Sequence, residues 1–480
     1  LSDLGYEQKK PSILWANVED RIDATFFREE YVVNLDEKFN NLTIPVLENG
    51  ELIEELTDYT ANGSFGSLKK NVEFTRLHGV LLIRGTNIKN GFLDLSDIKL
   101  VTEKTYNFLK KTQLFAEDLL FTKTGTLGNT IVWSKSFGKA SLGDNVFKVK
   151  YKRSIDPYYI HTFFLTNYGA KWVERLSQGG VQQTIIKESF RKIKIPVPDL
   201  SIQNHIGNKV REAELIRKEA KMLKKDVEKL FYNYTLLEKS EETLEESIKE
   251  YGVFVGPRNI VNLLGAELYK SEYVENQNKV RSLDDFVNLN ECYEYIINGV
   301  DIRNYTNNKM DTPYYKVAAI NQFGIKENSV AYIDTSIESI NPKQKINEGD
   351  LLITRKGSFG IAMGVEARDT VGVISSEVFK VKLKKDWDAD YLAYFLNSEY
   401  GKKQFLQFAT GSTMKGISQQ NIVEIVVPKI EYHKQQEIGS LVRSIKDMYS
   451  KSRELIQQAK NDVESLIEGT FDESIINEEQ

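Results

Sequence analysis

The residues best placed to do chemistry are two short runs that each follow an apolar strand: Lys123–Gly128 (KTGTLG) after Leu119–Thr122, and Arg355–Gly360 (RKGSFG) after Leu351–Thr354. Each joins a cation and a hydroxyl to a turn glycine, and exposed backbone amides beside a cation suit a phosphate. Lys123, Thr124, Thr126, Arg355, Lys356 and Ser358 are therefore candidate phosphate contacts. Neither run has the GxxxxGK[ST] spacing of a nucleotide-cradling loop, which sets ATP or GTP binding aside. Two later polar loops, from Gly179 to Thr184 and from Gly411 to Lys415, carry Gln182, Gln183, Ser412, Thr413 and Lys415. Glutamine can pair bidentately with adenine and lysine can donate to guanine, so these loops are candidates for base contacts. The plain alternative is a polar surface loop without function. Arg84, Asn87 and Asn321 are weaker candidates on the same grounds.

Apparent catalytic signals fall away on inspection. Asp156–Tyr159 (DPYY) is similar to the [DN]PP[YF] string of amino-methyltransferases but lacks the second proline. It reads instead as a helix start, with Asp156 as N-cap and Pro157 in the first turn. Asp199, Glu219 and Lys221 imitate a metal-dependent nuclease set, yet the last two lie in a heptad helix and the other half has no matching Glu-x-Lys. The four histidines form no HxxxH pair, and the single cysteine, Cys292, excludes an intramolecular disulfide and a cysteine-based zinc site. It reads as a small buried thiol and fits a reducing cytoplasm.

The elements that position the candidate loops occur twice. Leu119–Gly128 (LLFTKTGTLG) matches Leu351–Gly360 (LLITRKGSFG) at an offset of 232 residues, and VFKVK recurs unchanged at Val146–Lys150 and Val378–Lys382. Without a gap, Asp156 then falls on Asp388, Tyr159 on Tyr391, Gly169 on Gly401, Gly179 on Gly411, Pro196 on Pro428 and Gln203 on Gln435. Val80–Ile83, Leu119–Thr122, Thr130–Trp133 and Val146–Lys150 read as strands, and Pro157–Leu176 as a helix. A further helix is expected near Arg21–Tyr31. The segments Leu35–Arg76 and Arg281–Thr312 show no clear match. A constant scaffold with changed insertions suits two modules that read different targets; drift in a duplicated structural protein would leave the same pattern.

Each half closes on a long amphipathic stretch. Apolar residues recur at heptad spacing through Ile206, Val210, Ala213, Ile216, Ala220, Leu223, Val227 and Leu230, with continuation expected through Tyr234, Leu237, Leu244 and Ile248. The rhythm returns in Ile438, Leu441, Ile445, Met448, Leu455, Ala459 and Leu466. The spacing predicts two helices that pair with each other. From Ile206 to Leu230 such a helix measures about 37 Å, close to one turn of B-DNA, so it could act as a ruler between two sites. Gly207 and Gly439 would let the helices approach closely, or are incidental first-turn glycines.

At 480 residues, with 41% hydrophobic and 11% aromatic residues, the chain is long enough for two ordered domains, and no apolar run could span a membrane. The net charge of −5 hides an uneven distribution. Asp118–Leu200 holds 13 basic against 6 acidic side chains, whereas residues 1–117 hold 14 against 19. A locally basic surface is compatible with phosphate contact, although a lysine run can equally be a solvated face.

The duplicated strand-turn segments, the loops QGGVQQTI and ATGSTMKGIS, the strands ending in proline (IKIPVP, EIVVPK) and the helix entries IQNHIG and KQQEIG resemble the DNA-specificity subunit of Type I restriction-modification systems. The resemblance covers essentially the whole chain. It implies an α+β fold in which two pseudo-repeated, β-rich target recognition domains (residues 1–200 and 252–431) are separated by long helices (201–251 and 432–480, the latter with an acidic tail). Those helices would pair as an antiparallel coiled coil. The resemblance further implies a non-catalytic reader of a bipartite double-stranded DNA target. Two methyltransferase subunits would dock on the helices, with Ile206, Ala213, Leu223, Val227, Leu230, Ile438, Ile445, Met448, Leu455 and Ala459 as the spacer and partner-binding set, and restriction or translocase subunits could join. S-adenosylmethionine, ATP and magnesium would belong to those partners, and no cofactor or metal to this chain. The sequence begins at Leu1, so a fused single-chain restriction-modification enzyme, of which this is the recognition half, stays open. So does a coiled-coil adaptor with two modules that bind something other than DNA.

Overall fold

The computed structural model describes residues 28–31, 35–89, 91–180, 182–239, 266–306, 308, 311–334, 341–411 and 415–478. Of the helix expected near Arg21–Tyr31 only residues 28–31 are among them, and Glu29–Tyr31 is helical. The chain divides into two compact units: Leu1–Leu215 with Ser452–Gln480, and Ile216–Lys451.

In the first unit the run LLFT becomes an inner strand, Leu119–Thr122, buried at all four residues. That is what an uninterrupted apolar run requires, because an inner strand covered on both faces has no polar side. Its sheet runs Ile53–Asp58, Val146–Tyr151, Leu119–Thr122, Thr130–Val132, antiparallel throughout. A second sheet orders Ala140–Leu142, Val80–Ile83, Lys99–Val101 and Phe74–Thr75, the first pair parallel. The helix expected over Pro157–Leu176 is two, Pro157–Leu165 and Asn167–Leu176. Thr166 breaks it by capping Gly169 N at 3.1 Å, and a Cβ on Gly169 would stand 2.2 Å from Phe163 O, so only glycine fits that corner.

The central helix, Leu200–Thr235, enters this unit through a set of side-chain bonds. Gln203 accepts from Asp156 N at 3.0 Å and donates to Pro198 O at 2.8 Å. Tyr159 Oη donates to Pro196 O at 2.7 Å, and Arg211 grips both oxygens of Asp156 at 2.9 Å. Gly207 serves this junction and not a helix–helix approach, because a Cβ there would lie 2.2 Å from Asp156 Oδ2. Asp156 also caps its own helix, bonding Tyr158 N, with Pro157 in the first turn. Within the same unit the end of the distal helix, Tyr432–Glu468, meets the start of the central one, where Asp462 pairs with Lys209.

The second unit repeats the plan. Its main sheet runs Tyr293–Asn298, Val378–Leu383, Leu351–Thr354, Ala362–Gly364, and its smaller sheet Ala331–Ile333, Thr312–Tyr315, Val373–Ile374. Gln435 accepts from Asp388 N at 3.1 Å, Tyr391 Oη donates to Pro428 O at 2.8 Å, Arg443 pairs with Asp388 at 3.1 Å, and a Cβ on Gly439 would stand 2.1 Å from Asp388 Oδ1. Each contact is the first unit's, moved by 232 residues.

The helical seams are only partly seams between helices. Ala220 and Val227 are fully buried, but in one cluster with Leu351, Phe379, Tyr391 and Phe395 of the β-rich part as well as with Ile438, Val442 and Ile445. Phe231, absent from the heptad reading, is buried too and packs on Tyr394 with ring centroids 5.2 Å apart. Leu223, Leu230, Leu441 and Met448 are half-buried around the cluster. Lys224 Nζ lies 4.7 Å from the Tyr449 ring, and Tyr234 bonds Glu437 further along, so in this unit the two helices run in opposite directions. The central helix ends at Thr235, short of the expected Tyr251: Leu236 takes φ +58° and is exposed, while Leu237 turns back into the core. The left-handed residue stops the helix. Leu244 and Ile248 lie outside the described residues.

The repeat also extends where the sequence shows no match. Val46–Glu48 pairs with Lys194–Pro196 as Phe286–Asn288 pairs with Val426–Pro428, and Ile53–Asp58 corresponds to Tyr293–Asn298, now at an offset of 240. The register irregularity recurs at the same place, Ile53 opposite Tyr151 and Tyr293 opposite Leu383. Cys292 is buried and occupies the place of buried Leu52, and burial pushes its thiol pKa up.

Candidate nucleic-acid interface

In each unit the turn after the inner strand is built on glycines that adopt positive φ: Gly125 (+81°) and Gly128 (+84°) in the first, Gly357 (+68°) and Gly360 (+80°) in the second. The strand-end hydroxyl ties the turn closed. Thr122 Oγ1 donates to Thr126 O, and Thr354 Oγ1 to Ser358 O at 2.8 Å. This leaves Gly125 and Thr126, and Lys356, Gly357 and Ser358, exposed at the tips.

The polar loop further along is a narrow hairpin. Gln178 and Thr184 exchange both backbone bonds at 2.8 Å, as Thr410 and Gly416 do at 2.7 and 2.9 Å. Gly179 (φ +107°) and Gly411 (+102°) turn the first corner, and a Cβ on Gly179 would meet Gln182 O at 2.5 Å.

The two candidate loops meet. Ile185 N donates to Lys123 O at 3.0 Å and Ile417 N to Arg355 O at 2.9 Å, while Thr124 and Thr184 join hydroxyls at 2.7 Å. Turn and hairpin thus form one surface in each unit, with Gln182, Gln183 and Thr126 exposed on one and Lys356, Ser358 and Lys415 on the other. Among the described residues none of these six side chains, apart from a long 3.4 Å contact from Thr126 Oγ1 to Gly85 O, has a protein partner, so their polar groups are available to a ligand. Ser412 and Thr413 lie outside the described residues.

Other candidates are committed to the fold. Lys123 pairs with Asp58 at 2.9 Å beneath the loops and lies over the Phe147 ring, so it is not a free phosphate contact. Arg355 lies over Phe379 and reaches Ser376 O at 3.4 Å. Arg84 is held by Asp97 through side chain and carbonyl, at 2.9 and 2.8 Å. Asn87 is buried and caps Arg84 N, and Asn321 accepts from Phe323 N at 3.1 Å within a tight turn. Asn87 and Asn321 spend their polar groups on local backbone, the usual use of such residues in turns.

Four residues that sequence reasoning missed set the base of the surface. In the first unit the Asp58 carboxylate receives Lys123, Lys187 (3.3 Å) and Thr60 (2.7 Å). Burial pushes its pKa up, but the bonds from Lys123 and Thr60 outweigh this and hold it below the ordinary carboxylate value. In the second unit the same positions are Asn298, Arg355 and Gln419, and Gln419 Nε2 meets Asn298 Oδ1 at 3.5 Å. Lys187 and Gln419 were within reach of the 232-residue offset; Asp58 and Asn298 need the offset of 240, which only the strand register reveals. No group of acidic, histidine or cysteine side chains suited to a metal ion occurs among the described residues, and none of their helices is long and apolar enough to cross a membrane.

A family model for the Type I restriction modification DNA specificity domain matches residues 53–222. This span holds the first unit's turn, hairpin and helix entry. Residues 53–222 are thus similar to a Type I DNA specificity domain. The chain also aligns with a Type I restriction-modification S subunit from M. genitalium, at 12% identity over 90% of this chain and 97% of that one, TM-score 0.44. It is also similar to the HsdS subunit from Thermoanaerobacter tengcongensis, at 13% identity over 89% and 97%, TM-score 0.28. A chain from a structure on complex assembly and conformational transition of the type I R-M system aligns at 12% identity over 89% and 100%, TM-score 0.31. No curated protein sequence matches.

Proposed function

We propose that the chain is the DNA-specificity subunit of a Type I restriction-modification system, each unit reading one half of a bipartite target. The observation that carries this reading is the paired loop surface. The same turn and hairpin, joined by the same backbone bonds, occur in both units, yet they present glutamines in one and lysines with a serine in the other. A frame held constant under changed polar side chains is what two readers of different half-sites need.

The long helices fix the spacing of the half-sites by pairing antiparallel, and two methyltransferase subunits dock against them and the adjoining surfaces. Those subunits supply S-adenosylmethionine chemistry on a flipped adenine. The partly exposed Leu223, Leu230, Leu441 and Met448 are apolar groups available to such a partner. Ile206, Ala213, Val227, Ile438, Ile445 and Ala459 are wholly buried within this chain, and Leu455 nearly so; they support the helices without touching a partner.

The test is salt-dependent binding to duplex DNA carrying the motif methylated in the source genome. Log affinity should fall linearly with log salt. Lys415→Ala should lower the slope by about 1 and weaken one half-site only. Equal loss at both half-sites in a footprint would sink the assignment of one reader to each unit. Salt-independent or absent DNA binding would favour the adaptor.

A further inference from the structure

The two units differ in the length of chain between the first strand of the main sheet and the smaller-sheet strand that has a parallel neighbour. In the second unit 13 residues separate Asn298 from Thr312; in the first, 21 separate Asp58 from Val80. The longer segment folds into a helix, Phe65–Asn71, with no counterpart among the described residues of the second unit, and an edge strand, Phe74–Thr75, whose place the second unit fills with a single antiparallel bridge from Thr306 to Tyr332.

This insertion is anchored. Ser64 caps the helix by accepting from Ser67 N at 3.3 Å, and Leu68 is buried with Val80, Leu82, Val101, Tyr106 and Leu109. Phe74–Thr75 is bonded to Leu100–Val101. The outward face is unlike an ordinary solvated loop. Phe65 is 84% exposed, Leu77 69% and Phe74 61%, interleaved with exposed Lys69, Lys70 and Arg76. None of these three cations has a carboxylate partner among the described residues. The one acidic side chain in the stretch, Glu73, is occupied by Lys104 at 3.0 Å. Phe65 and Lys69 stand one helical turn apart, on one face. The segment follows directly in the chain on Asp58, the residue that holds Lys123 and Lys187 under the loop pair.

We infer that Phe65–His78 is an additional DNA-contacting element of the first unit only, with Lys69, Lys70 and Arg76 on backbone phosphates and Phe65 against a sugar or base edge beyond the half-site. The inference rests on the DNA-reading function proposed above. Basic side chains interleaved with exposed aromatic ones suit a polyanion that also offers flat apolar surface. A second protein would be met by an apolar patch without three unpaired cations at its centre.

The experiment uses the full chain in the complex it assembles, with duplexes extended on either side of the target. Lys69→Ala with Lys70→Ala should lower the salt slope of DNA binding by about 2, since each lost phosphate contact removes about 0.9. The hydroxyl-radical footprint should shorten at the outer edge of one half-site and stay unchanged at the other. Phe65→Ala should weaken binding without moving the slope. An unchanged slope and footprint, with folding verified by circular dichroism, would overturn the inference while leaving the loop surfaces in place. Loss of methyltransferase association at an unchanged slope would overturn it in favour of a protein contact. Failure of the unaltered complex to bind DNA would remove the reading beneath it.

Discussion

The two units keep one backbone frame and exchange side chains at its corners as sets. Under the loops, Asp58, Lys123 and Lys187 in the first unit become Asn298, Arg355 and Gln419 in the second, so an ionic cluster is replaced by an amide pair and a stacked arginine. Beside the helix entry, Tyr158 and Glu214 become Asp390 and Lys446, and the carboxylate moves from the helix to the β-rich part. In the core, Thr130 and His161, bonded at 2.8 Å, become Ala362 and Ala393. What does not change is the set of bonds that orients helix against sheet: Gln203 and Gln435, Tyr159 and Tyr391, Arg211 and Arg443. The difference separates what the fold needs from what each copy has settled for itself. A buried polar group can be exchanged only together with its partner, because half of such a pair leaves an unsatisfied group.

The sharpest way to break the comparison is to break one exchanged pair. Lys446 is almost completely buried, bonded to Asp390 and, at 2.7 Å, to Gly364 O. Asp390→Ala strands that ammonium and should destabilise the second unit by about 3–5 kcal/mol. At the equivalent corner, Tyr158→Phe removes a 3.3 Å bond to the partly exposed Glu214 and should cost about 1 kcal/mol. Peptide-resolved hydrogen exchange assigns each loss to its unit. Similar losses in the two would mean that the corners are not independent solutions. The double change Asp390→Tyr with Lys446→Glu, which transplants the first unit's pair, should recover only part of the loss, because Lys446 also faces the Glu366 and Asp369 carboxylates.

How much of this was legible depends on what a residue's environment leaves in the sequence. LLFT and LLIT advertise buried strands because each position must be apolar, and Asp156-Pro157 advertises a helix start because capping is local. The 232-residue offset could be read because turn glycines such as Gly128 and Gly360 tolerate few replacements. Strand Ile53–Asp58 was invisible as a copy of Tyr293–Asn298: its half-exposed residues have changed and an eight-residue insertion follows it. Lys123 shows the limit for the site. Its type and its place beside a glycine suit phosphate, but whether it faces solvent depends on Asp58, 65 residues earlier and across the sheet. The heptad pattern was correct about burial and incomplete about the partner, since Ala220 and Val227 pack on the β-rich part of their unit as well as on the other helix.

A smaller effect separates the units by pH. Burial pulls the His161 pKa down to about 4, so the ring is neutral in the folded first unit, whereas Ala393 cannot titrate. The unfolded chain takes up this proton near 6.5. The stability contributed by the neutral ring is therefore present above that value and falls away as pH drops toward 4, reaching a loss of about 3 kcal/mol below it. Asp118 acts in the opposite sense: burial raises its pKa to about 6, and protonation between 6 and 4 stabilises the fold. His161→Gln should therefore leave the first unit gaining stability on mild acidification, where the parent changes little. Hydrogen exchange at pH 7 and 4.5 checks this, and a variant whose pH response equals the parent's would contradict the assignment.

A small expected effect bears most directly on function. Asp58→Asn gives the first unit the second unit's residue under the loops. It removes the carboxylate that receives Lys123 and Lys187, and should cost about 1–2 kcal/mol, because Lys123 is only partly exposed and Lys187 more so. The same change frees two cations directly beneath the turn and hairpin. If that surface faces DNA, the salt slope of binding should steepen by about 1 while stability falls, two readouts that move in opposite directions. A merely structural carboxylate would lower stability and leave the slope where it was. The reverse change, Asn298→Asp, should capture Arg355, flatten the slope and weaken only the half-site that the second unit reads. Agreement of the pair would show that the acid at this corner decides how much of each unit's positive charge is offered to DNA and how much is kept for the fold.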